Sequence, residues 1–174
     1  MAKKPLRGVV GDPKVSRDSF WLVQQDIDLE DMYNQECVKY EKGSLIKVLE
    51  VNADDIRLKL VSEYFNHFHS FKPSIKKSWS KYFKLVLDNI GLKDTSILPT
   101  IGDFYRPMCI GSQALYYRRE DLIPKNIWLQ EMNVVEVKDS NNGIIILKIK
   151  NGDDIGRLIS VSYATFIEWF KALK

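Results

Sequence analysis

Two stretches of the chain share a helical spacing of hydrophobic side chains. In Ser74–Val86 aromatic and aliphatic residues recur at intervals of three and four, and Val161–Leu173 repeats the pattern 87 positions later. This spacing places apolar side chains on one face of an α-helix. The matched pairs are Ser78 with Thr165, Trp79 with Phe166, Tyr82 with Trp169, Phe83 with Phe170, Lys84 with Lys171 and Val86 with Leu173. We expect two amphipathic helices, the first reaching Gly91 and the second the chain terminus.

Short runs upstream of these helices alternate between aliphatic and charged residues. Ile56–Leu60 and Ile145–Lys150 both show this period of two. It predicts strands of a sheet that has one face toward solvent. The pair Asn142-Gly143 predicts a tight hairpin turn, because both residues tolerate positive φ. The charged residues expected to face outward are Arg57, Lys59, Lys148 and Lys150.

The matches occur in the same order along both halves of the chain, which predicts a tandem duplication. Asp18–Phe20 matches Gly102–Phe104 at an offset of 84, and Ile56–Leu60 matches Ile145–Ile149 at an offset of 89. Loop insertions make such an offset drift. A further match joins Ile46–Val51 to Met132–Val137 at an offset of 86. The predicted parts are an N-terminal arm (1–16), a first repeat (17–91), a linker (92–100) and a second repeat (101–174).

The segment Tyr40–Leu60 carries a family resemblance. Lys42-Gly43 opens it, and two β-rich runs follow around the tight turn at Asn52–Asp55. This arrangement resembles the central hairpin of SH3-like barrels of the KOW and Tudor type. The resemblance implies an α+β, mainly β fold with two tandem small SH3-like barrels, each closed by a C-terminal amphipathic helix. The second copy departs from the motif because it has no glycine at the matching place.

The composition is similar to that of small transcription-modifying accessory proteins of large tailed phages, which bind DNA. With 45% hydrophobic residues the chain can bury a core, and its net charge of only +3 means that electrostatic arguments must be local. Cys37 and Cys109 form no disulfide framework, so reduced thiols are expected. We find no secretory signal and no membrane-spanning run, and therefore expect a cytoplasmic protein without a membrane partner.

The first helix is the main candidate for binding nucleic acid. Its lysines Lys77, Lys81 and Lys84 are spaced i, i+4, i+7, which places them in one stripe. Such a stripe can contact phosphates, and Lys72, Lys76 and the N-terminal Lys3, Lys4 and Arg7 extend it. The alternative is an ordinary solvated helix face, since the second copy keeps the aromatic residues but carries Glu168 and few lysines.

Two other groups of residues carry candidate chemistry. The strand charges named above can line a groove on each barrel, with Tyr116 and Tyr117 as stacking residues and Arg118 and Arg119 beside them. Glu120 and Asp121 follow directly, so a surface salt-bridge cluster is the alternative. His67 and His69 lack further ligands at suitable spacing and are interpreted as polar loop residues, and Asp26–Asp31 as an exposed acidic arm.

The sequence contains no standard catalytic motif, so we expect no enzyme, no cofactor, no metal and no small-molecule substrate. The leading hypothesis is binding of nucleic acid, expected to be duplex DNA with weak sequence preference, in transcription or nucleoid organisation. The alternative is a module that binds a host or partner protein through a hydrophobic barrel groove. The anchors of that groove are Trp21, Phe104, Tyr105 and Trp128.

Overall fold

The fold is mainly β, with short helices between the strands. The computed structural model describes residues 14–61, 67–108, 113–117 and 125–173, of which 113–117 and 125–128 are described by their backbone alone. The chain divides into two compact units, Met1–Thr95 (unit 1) and Ser96–Lys174 (unit 2), so the division falls within residues 92–100. In the described residues the sheets are antiparallel and open, and none closes into a barrel.

Unit 1 is built on a five-stranded sheet with the spatial order β6-β5-β4-β1-β7. Its first and last strands are neighbours, and the hairpin β2-β3 forms a separate two-stranded sheet between β1 and β4 in sequence. The strands are β1 (Phe20–Val23), β2 (Ile27–Glu30), β3 (Cys37–Tyr40), β4 (Leu45–Val51), β5 (Ile56–Leu60), β6 (His69–Phe71) and β7 (Phe83–Leu87).

The helical segment of unit 1 is much shorter than its hydrophobic pattern predicts. A 3₁₀ segment covers Pro73–Ser78, and one turn of helix, α1, covers Trp79–Tyr82. Phe83 is already extended, and Phe83–Leu87 pairs with β1. The continuous helix to Gly91 is therefore wrong. An apolar spacing of three and four residues fits a long helix and also fits a single helical turn followed by a strand. The spacing alone therefore does not distinguish these two structures.

Unit 2 repeats the arrangement with the spatial order β13-β12-β11-β8-β14. Its helix, α2 (Tyr163–Trp169), is capped by Ser162, whose Oγ accepts a hydrogen bond from the backbone N–H of Thr165. The predicted helix to the terminus is wrong, since Phe170–Ala172 is a strand. The strands are β8 (Phe104–Pro107), β9 (Gln113–Tyr117), β10 (Lys125–Leu129), β11 (Val135–Asn141), β12 (Ile144–Ile149), β13 (Leu158–Ser162) and β14 (Phe170–Ala172).

The registers of the paired strands show which residues of the two units are equivalent. A β-bulge lies between Val48 and Glu50 in β4 and between Val137 and Asp139 in β11. Val48 therefore corresponds to Val137, an offset of 89, and the offset of 86 inferred for this strand is wrong. The hairpin turn at Asn142-Gly143 is confirmed, because both residues have positive φ between β11 and β12.

Equivalent aromatic residues fill the two cores. Trp79 packs edge-on against Trp21 in unit 1, with ring centroids 5.4 Å apart, and Phe83 lies 4.4 Å from Trp79. In unit 2 the corresponding contacts join Phe166 to Tyr105 at 4.7 Å and to Phe170 at 5.5 Å. The repeated aromatic residues therefore belong to the core of each unit, and the charged residues lie on the opposite face.

No helix within the described parts of the chain is long and apolar enough to cross a membrane.

Candidate nucleic-acid interface

The lysines of the helical segment occupy consecutive turns of unit 1. Lys72 directly precedes the 3₁₀ segment, Lys76 and Lys77 lie in it, and Lys81 lies in α1; all are exposed. Within the described residues none of them forms a salt bridge. Lys84 differs, because it lies in β7 and its Nζ is 3.5 Å from Oδ2 of Asp94. The predicted stripe of Lys77, Lys81 and Lys84 on one helix is therefore wrong.

Hydrogen bonds to the end of β1 hold this segment in place. The backbone N–H of Gln24 donates to the carbonyl of Tyr82 at 2.7 Å. The side-chain amides of Gln24 and Gln25 donate to the carbonyls of Ser80 and Lys81, each at 3.1 Å. Pro73 begins the 3₁₀ segment and fixes its own φ there. These hydrogen bonds therefore fix the backbone that carries the lysines.

A depression of about 650 Å³ lies beside these lysines. Its lining combines cationic and apolar side chains from separate parts of unit 1, namely Lys14, Val15, Val51, Lys76, Lys77, Trp79 and Ser80. Sequence reasoning missed Lys14, because it is distant from the helix in the chain. Its only signal in the sequence is its place within the N-terminal arm.

Trp79, which contributes to the lining of this depression, carries an unpaired polar group. The residue is 2% exposed, and its indole Nε1–H has no hydrogen-bond partner in the described structure. By contrast, Nε1 of Trp21 donates to Oγ of Ser19 at 2.8 Å. An unpaired N–H of this kind is unfavourable, so each such group calls for an explanation.

The outward strand charges do not gather into a free cationic groove. The guanidinium of Arg57 lies 3.1 Å from Asp55 and 3.6 Å from Glu50, and sits over the ring of Phe68 at 5.5 Å. Hydrogen bonds from Asn52 and then from Arg57, against the effect of burial, lower the pKa of Asp55. Arg57 is therefore occupied by neighbouring carboxylates.

The other strand lysines are also engaged or enclosed. The outward placement of Lys59 is wrong, because it is 2% exposed and its ammonium donates to the carbonyl of Leu60 at 2.9 Å. Nζ of Lys150 lies 3.3 Å from Glu136, whose pKa is lowered mainly by this hydrogen bond. Lys148 is half-buried and directly opposite Glu136 in the sheet. Arg118 and Arg119 lie outside the described residues, as do Lys3, Lys4 and Arg7.

The predicted protein-binding anchors differ in their burial. Trp21 is fully buried in the core, so its role as an exposed anchor is wrong. Tyr105 is half-buried against Phe166, and Phe104 is 44% exposed. Trp128 lies in β10, but its side chain is outside the described part of the structure.

Asp31 has a structural role that sequence reasoning missed. The exposed acidic arm is wrong at this position, because Asp31 is only 5% exposed. Its Oδ1 accepts from the N–H groups of Tyr33 and Asn34, and its Oδ2 from the N–H of Ser70 at 3.1 Å. Nδ1 of His69 lies 3.2 Å from the same Oδ2. These contacts fasten the tip of the β2-β3 hairpin to strand β6.

Comparison of the chain with protein-family models, with curated proteins and with solved structures finds no significant match.

Proposed function

We propose that the protein binds nucleic acid, with duplex DNA as the expected form, through the exposed lysines of unit 1, and that it acts without an enzymatic step. The observation that carries this proposal is a set of exposed lysines around the helical segment that have no carboxylate partner among the described residues. This set, called here the lysine cluster, comprises Lys14, Lys72, Lys76, Lys77 and Lys81.

The comparison between the units supports a function for these lysines beyond solubility. The offset of 87 that equates Trp79 with Phe166 places Tyr163 and Ala164 where unit 1 has Lys76 and Lys77. A helical segment of this fold therefore does not need lysine at these positions. Lysine ammonium groups that lack carboxylate partners are free to replace counterions on a phosphate backbone. Contacts of this kind position a duplex and do not recognise its bases, so the sequence preference is weak. We expect the protein to act in transcription or in nucleoid organisation.

An SH3-like fold for each unit is part of the proposal. The support is the strand order: the first strand lies beside the last, a hairpin excursion separates β1 from β4, and a helical turn precedes the final strand. The same features recur in unit 2. In small β domains of this kind, loops and helical turns at the ends of the strands are available to bind ligands.

Binding of a partner protein is the second candidate function. Phe104 in β8 and Leu158 in β13 are 44% and 46% exposed, and Ile101 is 62% exposed. Strand register places Phe104 opposite Glu136, Glu136 opposite Lys148, and Lys148 opposite Leu158. The two apolar residues are therefore the ends of one row that crosses the four strands. Such a row suits a partner with apolar side chains.

Fluorescence anisotropy with labelled duplex DNA tests the proposal. We expect wild type to bind with a dissociation constant of about micromolar or tighter at low salt. Lys76→Glu/Lys77→Glu should reduce the affinity at least about tenfold. The matched control Lys39→Glu/Lys171→Glu makes the same change in net charge at exposed lysines that are not members of the cluster. Absence of binding at low salt, or equal losses in the two variants, would refute the proposal.

A further inference from the structure

The depression beside the lysine cluster has features that a plain phosphate-binding surface does not need. A surface that follows a duplex backbone requires only exposed cations. Here Lys14 is brought beside Lys76 and Lys77 around one concave site, although it is far from them in sequence. Val15, Val51 and Trp79 provide apolar surface between the cations. The combination suits a ligand that carries concentrated negative charge on an apolar or planar body.

The volume and the charge both restrict the ligand. A depression of about 650 Å³ lies in the range of sites that hold one small organic molecule, and is too small for a length of duplex. A phosphate monoester carries a charge of about −1.5 to −2 at pH 7, whereas each internal diester of a strand carries about −1. Lysines that line one depression therefore favour the monoester over the diester.

Trp79 supplies an independent observation. Its buried Nε1–H has no partner, yet Trp79 contributes to the lining of the depression. Unit 2 places Phe166 at the equivalent position, so the core contact with the neighbouring aromatic ring does not require an indole. A ligand with strong acceptor oxygens in this depression is the kind of partner that the unpaired N–H lacks.

We infer that this depression binds the terminal phosphate monoester of a nucleotide, with the nucleoside against the apolar surface. The inference rests on the proposed function and gives it a ligand class: the protein prefers a 5′-phosphorylated end to a 5′-hydroxyl end. A free mononucleotide carries the same chemistry and distinguishes the depression from the wider lysine cluster.

Nuclear magnetic resonance of ¹⁵N-labelled full-length protein reports on the site directly. The indole resonance absent from Trp79→Phe identifies Nε1–H of Trp79, and Phe is the residue that unit 2 carries there. Titration with adenosine 5′-monophosphate should shift this resonance to saturation, while adenosine should leave it unchanged. Lys14→Gln/Lys77→Gln should weaken the binding about tenfold. Lys39→Gln/Lys171→Gln, which removes the same charge elsewhere, should not.

Anisotropy with two duplexes of identical sequence completes the test. The duplex with a 5′-phosphate should bind about fivefold to tenfold more tightly than the 5′-hydroxyl duplex, and Trp79→Phe should reduce that ratio. Equal affinity for both duplexes, together with an unchanged Trp79 resonance, overturns the inference but leaves the proposed function standing. A nucleotide-dependent shift without binding of either duplex refutes the proposed function and supports the depression as a mononucleotide site.

Discussion

Oδ2 of Asp31 lies 3.2 Å from Nδ1 of His69 and also accepts the backbone N–H of Ser70. Asp31 directly follows β2 in the turn of the β2-β3 hairpin, while His69 and Ser70 belong to β6. One nearly buried carboxylate therefore connects the hairpin to the edge of the main sheet of unit 1. Met32 strengthens this connection, since its N–H donates to the carbonyl of Ser70 at 2.9 Å.

The stability of unit 1 should decrease in acid through Asp31. Burial acts to raise the pKa of this carboxyl, but hydrogen bonds from the N–H groups of Tyr33, Asn34 and Ser70, with that of His69, outweigh it and hold the pKa below its ordinary value. A lowered folded-state pKa stabilises the fold above the unfolded-state value near pH 4, and the contribution is lost as the pH falls through the folded-state pKa.

Asp31→Asn should therefore lower the free energy of unfolding by roughly 2 kcal/mol at pH 7, and by progressively less below about pH 4. Urea denaturation followed by tryptophan fluorescence at a series of pH values measures the difference. Asp28→Asn, which changes an exposed carboxylate of the same hairpin, is the control. A difference between wild type and Asp31→Asn that does not change from pH 7 to pH 3 would contradict this role.

The positive φ of Asp18 and Gly102 provides a test of the equivalence of the units. Asp18 has φ of 64° and Gly102 has φ of 98°, and their N–H groups donate to the equivalent carbonyls of Val48 and Val137. Gly102→Ala should destabilise unit 2 by about 1–2 kcal/mol because of backbone strain alone, as a Cβ there meets no atom within 4 Å.

At the equivalent position of unit 1, Asp18→Gly should leave the stability unchanged or raise it slightly. The ion pair that it removes, between Asp18 and Arg17 at 3.8 Å, is exposed and contributes little. Chemical denaturation measures both variants. If Asp18→Gly destabilises unit 1 as strongly as Gly102→Ala destabilises unit 2, the backbone explanation fails.

Lys59 and Lys148 occupy equivalent strand positions but should respond differently to charge reversal. Lys59 is 2% exposed, so Lys59→Glu places a carboxylate beside the carbonyl oxygens of Leu60 and Val61 and should destabilise the protein by roughly 3 kcal/mol or more. Lys148→Glu, at a half-buried position, should destabilise it by about 1 kcal/mol or less. Thermal denaturation checks both, and similar changes in the two variants would contradict the difference in burial.

The sequence pattern predicts the repeated elements better than their boundaries. The pattern correctly pairs Trp79 with Phe166 and Phe83 with Phe170, because core aromatic residues are required in both units. The pattern predicts helices that are too long, because a strand such as Phe83–Leu87 continues the apolar spacing of the preceding turn. The strand offset was wrong at Ile46–Val51, because Val-rich runs look alike in neighbouring registers and only the bulge fixes the alignment.

The candidate site was predictable only in part. Lys76, Lys77 and Lys81 stand out as a basic run without acidic residues. Lys14 joins them only in the folded chain, and the burial of Lys59 depends on carbonyl groups at the end of its own strand. Asp31 lies in an acidic run, and nothing local distinguishes it from its exposed neighbours. Long-range contacts decide each of these cases, and a single sequence does not display them.

The salt dependence of duplex binding tests the central claim, that the lysine cluster contacts phosphates, most directly. Each phosphate contact contributes about 0.9 to the slope of the logarithm of affinity against the logarithm of salt concentration. Lys76→Gln/Lys77→Gln should therefore make the slope shallower by about 2 between roughly 50 and 200 mM salt, while Lys39→Gln/Lys171→Gln leaves it as in wild type. A slope that is the same in wild type and both variants would contradict the claim.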